Sequence, residues 1–163
     1  MSLQYIIDAY NLINHPQFNP PSRGFSSVQA SLVEFIKINK LSGSQKNKVI
    51  IVFDGYPKAG LQIPEEPGML CLFSRGIEAD EKIKELVEES SQPGNIIVVS
   101  DDRQVQMGAR LLRAQTCGVE EFIRGKKSKL RADTGREEDE DNKVSYSKMQ
   151  KINAELKKKW LLE

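Results

Sequence analysis

A single histidine, His15, and two cysteines, Cys71 and Cys117, are all the imidazole and thiolate ligands this 163-residue chain carries. That scarcity excludes a zinc site, which needs several such side chains at close spacing. The cysteines lie far apart and form no C-x-x-C pair, so they read as reduced structural thiols of a cytoplasmic protein. No apolar stretch approaches the roughly 20 residues that span a bilayer, so no membrane contact is expected. The opening Met1-Ser2-Leu3-Gln4 lacks a basic region, which argues against a signal peptide. Neither sign of charge prevails: 24 Lys and Arg against 23 Asp and Glu leave +1. Net charge alone therefore points to no polyanionic partner, and no internal repeat is present.

Hydrophobic residues make up 39% of the chain and charged residues 29%, enough for one packed domain. Four aspartates stand out by position. Asp8 closes the run Tyr5-Ile6-Ile7, Asp54 closes Val49-Ile50-Ile51-Val52-Phe53, and Asp101, followed by Asp102, closes Ile96-Ile97-Val98-Val99-Ser100. Asp80 opens a helical pattern at Glu78-Ala79-Asp80-Glu81. Continuous Val/Ile runs mark parallel strands buried on both faces. Ligands of open α/β sheets bind outside the carboxyl ends of such strands. Carboxylates gathered there repel unless a cation or protons intervene. Mg²⁺ or Mn²⁺ suits an all-oxygen cluster, and on phosphate its usual work is in-line displacement.

The same patterns lay out the chain. Strands are expected at about 4–7, 48–53, 69–73 and 95–99, with a fifth, edge strand at Val119–Ile123. Ser26 and Gln29 fit a capping box before a helix whose Val28, Leu32, Phe35 and Ile36 share a face. Further helices are expected at about 78–90 and 102–116. Proline and glycine mark loops at 14–25 and 55–68. Alternating strands and helices imply an α/β class with a mostly parallel sheet covered on both sides. That unit closes near 123. Residues 124–143 are almost wholly polar and read as a charged linker. A C-terminal helix at 144–163, with Met149, Ile152, Leu156 and Trp160 on one face, docks either on the domain or on a partner.

Helical phase ranks the acids near residue 80. Asp80 shares a face with Ile83 and Val87, toward the sheet, whereas Glu78 pairs with Lys82 and Glu81 with Lys84. Asp8, Asp80 and Asp101 are thus the catalytic candidates. Asp54 and Asp102 join them as candidate metal ligands; for each, a turn or cap is the plainer role. Asn11 and Ser100 either bind phosphate or orient carboxylates and cap. Arg103, Gln106, Arg110 and Arg113 lie at roughly helical spacing, as a polyanion-binding face or a solvated one. Arg75 precedes Asp80 and is a candidate phosphate clamp. The basic stretch holding Lys126 and Lys127 either follows a nucleic-acid backbone or is plain linker. Tyr10 and Tyr56 flank the crevice as stacking or packing residues. His15 is most simply a loop residue.

The order Ile7-Asp8-Ala9-Tyr10-Asn11, Val52-Phe53-Asp54-Gly55, Glu78-Ala79-Asp80-Glu81 and Val98-Val99-Ser100-Asp101-Asp102 resembles the NYN domains of the PIN-like nuclease superfamily, in the YacP-like branch. The resemblance covers about residues 4–123. It implies a PIN-like three-layer α/β/α sandwich and Mg²⁺- or Mn²⁺-dependent RNA cleavage, with RNA as partner. It also implies a link to messenger RNA on the ribosome. Asp8, Asp80 and Asp101 would be the metal-holding acids, with Asn11 nearby. Ala9 stands where many members have Gly, and Asp102 where a non-acidic residue often follows.

The expectation is therefore a metal-dependent endoribonuclease. One rival is an RNA- or ribosome-binding module without turnover. The other is a Mg²⁺-dependent phosphotransfer domain. A dehalogenase-type phosphatase, however, wants D-x-D after the first strand, and here Asp8-Ala9-Tyr10 stands instead. A receiver wants an aspartate after the third strand, where Phe73-Ser74-Arg75 has none.

Overall fold

Four short apolar runs and one short polar run pair side by side. They are β1 (Gln4–Asp8), β2 (Lys48–Phe53), β3 (Met69–Phe73), β4 (Ile96–Val99) and β5 (Gln115–Cys117). The computed structural model describes residues 2–20 and 27–132, with side chains as far as 125. The expected C-terminal helix at 144–163, Ser26 and the later part of the linker lie outside them. The strands form one sheet in the order β3-β2-β1-β4-β5, every pair parallel.

Both faces of this sheet need covers, because β1, β2 and β4 bury Ile6, Ile7, Ile51, Val52, Val98 and Val99 completely. One cover comprises α1 (Ala9–Ile13), α2 (Val28–Ile38) and α5 (Val119–Ala132). They bring Leu12, Leu32, Phe35, Val119 and Phe122 onto Ile7 and Ile51. The other comprises α3 (Ala79–Glu88) and α4 (Arg103–Leu111). They bring Ile83, Val87, Val105 and Ala109 onto Ile6 and Val98. The result is the three-layer α/β/α sandwich expected, its first 126 residues one compact unit.

Several boundaries move. The cap of α2 is Ser27, whose Oγ accepts from Ala30 N–H at 3.1 Å, in place of Ser26. Val28 does not join the apolar face; it is 41% exposed. The fourth helix stops at Leu111, and the edge strand is 115–117. Val119–Ile123 is helical, because Val119, Phe122 and Ile123 repeat at three and four residues and pack on one side. That helix continues to Ala132, past the point where polarity alone marked a linker.

Candidate active site

The chain reverses its direction of progress across the sheet at β1, whose neighbours are β2 and β4. The carboxyl ends of β1 and β4 therefore flank a topological switch point, where such sheets hold ligands. Asp8 ends β1 there, only 8% exposed. Its Oδ2 accepts from Asn11 Nδ2 at 2.8 Å and from Ser100 Oγ at 3.4 Å. Ser100, fully buried just past β4, also accepts from Asp102 N–H at 3.1 Å. The local fold explains these contacts. Strand β1 passes directly into α1, so Asn11 lies one turn beyond Asp8 and reaches back to it.

Like charges meet at this point. Burial raises the Asp8 pKa above the ordinary 3.8; hydrogen bonds from Ser100 and Asn11 pull it down, and the charges of Asp102 and Asp80 raise it again. Asp80 sits in the first turn of α3. Its charge, together with a hydrogen bond between the two side chains, raises the pKa of Glu78, to which burial, Glu81 and Asp54 add smaller pushes. A chain of mutually repelling carboxylates thus runs along the edge: Asp54 and Asp80 against Glu78, and Asp80 and Asp102 against Asp8. Glu78 was missed by the sequence reading, which paired it with Lys82. Lys82 instead meets Glu85 at 3.6 Å, and among the described residues no ion pair joins Glu81 to Lys84. The missed signal was its place at the cap of α3, two residues from Asp80.

The adjacent aspartates divide their work. Asp101 Oδ1 accepts from Val119 N–H at 2.9 Å and so caps α5 from a distance, while its own N–H donates to Asn11 Oδ1 at 3.0 Å. Asp102 Oδ1 accepts from Gln104 N–H at 2.8 Å and caps α4. Each spends one oxygen on a helix start and has a second to give. Asp54 is exposed, with Oδ1 accepting from Ser74 Oγ at 3.2 Å, and its charge adds a small push on Glu78.

Among the described residues, no three acidic, histidine or cysteine side chains stand close enough to enclose an ion by themselves. The donor set nonetheless suits Mg²⁺ or Mn²⁺. The oxygens are hard, the charge is in excess, and Mg²⁺ keeps several waters and needs only one or two carboxylates. Asp8, Asp80 and one of the neighbours Asp101, the expected ligand, and Asp102, whose charge acts on Asp8, would hold it.

A model of the YacP-like NYN domain matches residues 5–161. The chain belongs to that family. The crystal structure of Rae1 (YacP) from Bacillus subtilis is similar to it, with a TM-score of 0.53 and 21% identity over 98% of this chain and 94% of that one. A mutant of the same protein gives a TM-score of 0.56 and 23% identity over 81% and 79%. At those identities the likeness is one of fold. Among curated proteins there is no match. NYN domains are PIN-like nucleases, and the function here is of that nuclease, RNA-related kind.

The basic residues of this NYN domain do not all gather at the acids. Arg103, the first residue of α4, is exposed beside Asp102. Arg75, in a left-handed turn with φ 62°, donates its N–H to Gly55 O at 2.8 Å and stands next to the Asp54 loop. Arg110 and Arg113 are separated from the site. A helix that starts at the carboxyl edge of a parallel sheet ends at the opposite edge. Arg110 lies in the last turn of α4, its Nε donating to Thr116 Oγ1 at 3.0 Å, and Arg113 lies beyond the helix with φ 70°. Gln106 spends a donor on Ser100 O at 2.6 Å. Lys126 and Lys127 lie on α5, outside the residues whose side chains are described. Both thiols are held protonated by burial, Cys71 at about 11 and Cys117 at about 12. Neither is a nucleophile near neutral pH. Among the described residues no helix is long and apolar enough to cross a membrane.

Proposed function

We propose that the chain is a divalent-metal-dependent endoribonuclease acting at the carboxyl edge of β1 and β4. The observation that carries this reading is Asp8, a carboxylate buried at the switch point and held by Asn11 and Ser100, on which the charges of Asp102 and Asp80 act as lesser pushes. Buried carboxylates with like charges nearby cluster at functional sites, and the family supplies a nuclease context. When bound, Mg²⁺ or Mn²⁺ supplies Lewis acidity and lowers the pKa of water toward neutrality.

The side chains do the rest. Asn11 and Ser100 hold Asp8 in one orientation and favour its charged form against burial. Asp80 and Asp102 hold charge on the other sides of the same opening. Asp101 fixes α5 and Asn11 around it. Arg75 and Arg103 engage the RNA backbone, giving affinity without sequence information. No protein nucleophile is needed.

The test is incubation of single-stranded RNA with Mg²⁺, Mn²⁺ or EDTA, using wild type, Asp8→Asn and Asp80→Asn. Metal-dependent products from wild type alone support the reading; equal products from all three overturn it. Ribosome-bound messenger RNA enters through the family resemblance, and ribosomes added to the same assay test it. A second reading, RNA binding without turnover, draws on the acids not enclosing an ion by themselves. EDTA-insensitive binding without products would establish it.

A further inference from the structure

Beside the acidic edge lies an open groove of about 380 Å³ lined by Tyr10, Asn11, Asn14, His15, Pro16 and Asp101. We infer that it receives one ribonucleoside of a single-stranded RNA, the nucleotide next to the phosphate held at Asp8. This deepens the nuclease reading and rests on it.

Position comes first. Asn11 is a wall common to both sites. Its Nδ2 donates to Asp8, its Oδ1 accepts from Asp101 N–H, and the same side chain lines the groove. A strand whose phosphate sits at Asp8 therefore has this groove as its immediate neighbour.

Chemistry comes second. The size suits a small ligand rather than a protein segment. Tyr10 is 37% exposed, and its ring meets the buried Phe53 ring nearly perpendicularly, 82° at 6.4 Å, so it is a fixed aromatic wall. His15 Nδ1 accepts from Gln17 N–H at 3.1 Å, which leaves the proton of the neutral ring on Nε2 as a donor. Asn14 adds an amide with both donor and acceptor. An aromatic wall with mixed donors and acceptors is what unstacked RNA bases use.

Charge comes third. Among the described residues, Asp101 is the one ionisable acid lining the groove, and no Lys or Arg lines it. Its carboxylate repels phosphate and accepts from base amino or imino groups or from a ribose 2′-hydroxyl. The nucleotide is thus sorted by charge, with its phosphate drawn to the metal side and its neutral part drawn into the groove.

His15 is the sole histidine, so its ring signals report on this groove alone. The experiment follows them by NMR while a short single-stranded RNA is added in EDTA, and repeats the titration with RNAs carrying one abasic position each. Kd and, with Mn²⁺, KM are measured for wild type, Tyr10→Ala and Tyr10→Phe. The expected result is a saturable shift of His15, its loss at one particular abasic position, and binding about tenfold weaker in Tyr10→Ala, rescued by Tyr10→Phe. Cleavage or binding with His15 unmoved, and Tyr10→Ala equal to wild type, overturns the groove and leaves the nuclease standing. A His15 shift without metal-dependent products retains the groove and removes the nuclease. No RNA binding at all removes both.

Discussion

At Asp8 a carboxylate exchanges most of its water for two hydrogen bonds, while two neighbouring charges push against it. The balance leaves its pKa above 3.8 in the folded protein. The folded state then holds the proton more tightly than the unfolded one. Stability from this group is complete below the ordinary aspartate value and is lost as pH rises through the raised value. At neutral pH, therefore, charged Asp8 weakens the metal-free fold. Asp8→Asn is expected to raise Tm in EDTA at pH 7, by about 2–4 °C for each kcal/mol relieved, with the gain vanishing in acid. The same variant should lose about 10²–10³-fold in RNA cleavage, the scale of one preorganised electrostatic group. Thermal scans across pH and single-turnover assays check the pair; a lower Tm at pH 7 would refute the repulsion. Ser100→Ala should act oppositely on the acid. Losing that hydroxyl removes a bond that lowers the Asp8 pKa and the acceptor for Asp102 N–H. Carboxyl-carbon NMR should show the Asp8 midpoint moving further up, and stability should fall by about 1–3 kcal/mol.

Between elements, what governs the site is how α4 and α5 begin. Asp102 caps the helix it precedes, but Asp101 caps a helix that starts 18 residues later. Gly118 stands before α5 with no side chain of its own to offer, and a Cβ there would meet Asp101 Oδ1 at 3.3 Å. That distant cap is why α5 was illegible in the sequence. Val119-Glu120-Glu121-Phe122-Ile123 has no capping side chain of its own, so its apolar ends read as a strand although Glu120 and Glu121 suit a first helical turn, while the true edge strand, Gln115-Thr116-Cys117, is polar and three residues long. Strands β1, β2 and β4 were legible because burial on both faces demands unbroken Val/Ile runs, and half-buried β3 because Met69–Phe73 is apolar throughout. The two caps also separate the neighbours experimentally. Asp102→Asn should lower the Asp8 midpoint by removing a charge that raises it, whereas Asp101→Asn should leave that midpoint in place, because Asp101 is not among the charges acting on Asp8. Asp101→Ala should cost about 0.5–2 kcal/mol through the lost cap of α5, read as a fall in Tm.

For the molecule as a whole, the sheet order decides which residues share an edge. Strand ends and helix starts fall together at the carboxyl side, which is why Asp8, Asp80 and the Ser100–Asp102 turn could be placed in one crevice from sequence. Arg110 and Arg113 stand at the far end of α4, which the spacing could not tell: it reports which face a residue occupies, not which end. One consequence involves fold and site together. On the proposed reading, divalent ions that bind only the folded chain would stabilise it by mass action, countering the repulsion among the carboxylates. Binding also requires Asp8 to be ionised, so it releases a proton whenever pH lies near or below the raised pKa. Mn²⁺ or Mg²⁺ should therefore raise the Tm of wild type, and affinity should climb with pH until Asp8 is fully charged and then level off. At 100 times Kd the stabilisation is about 2.7 kcal/mol. Asp8→Asn, already more stable in EDTA, should gain little from the same ions, so the two melting curves converge or cross as metal is added. Thermal scans over a metal series at several pH values measure this. Equal metal-induced shifts in both proteins would place the cation elsewhere and separate the buried carboxylate from the chemistry.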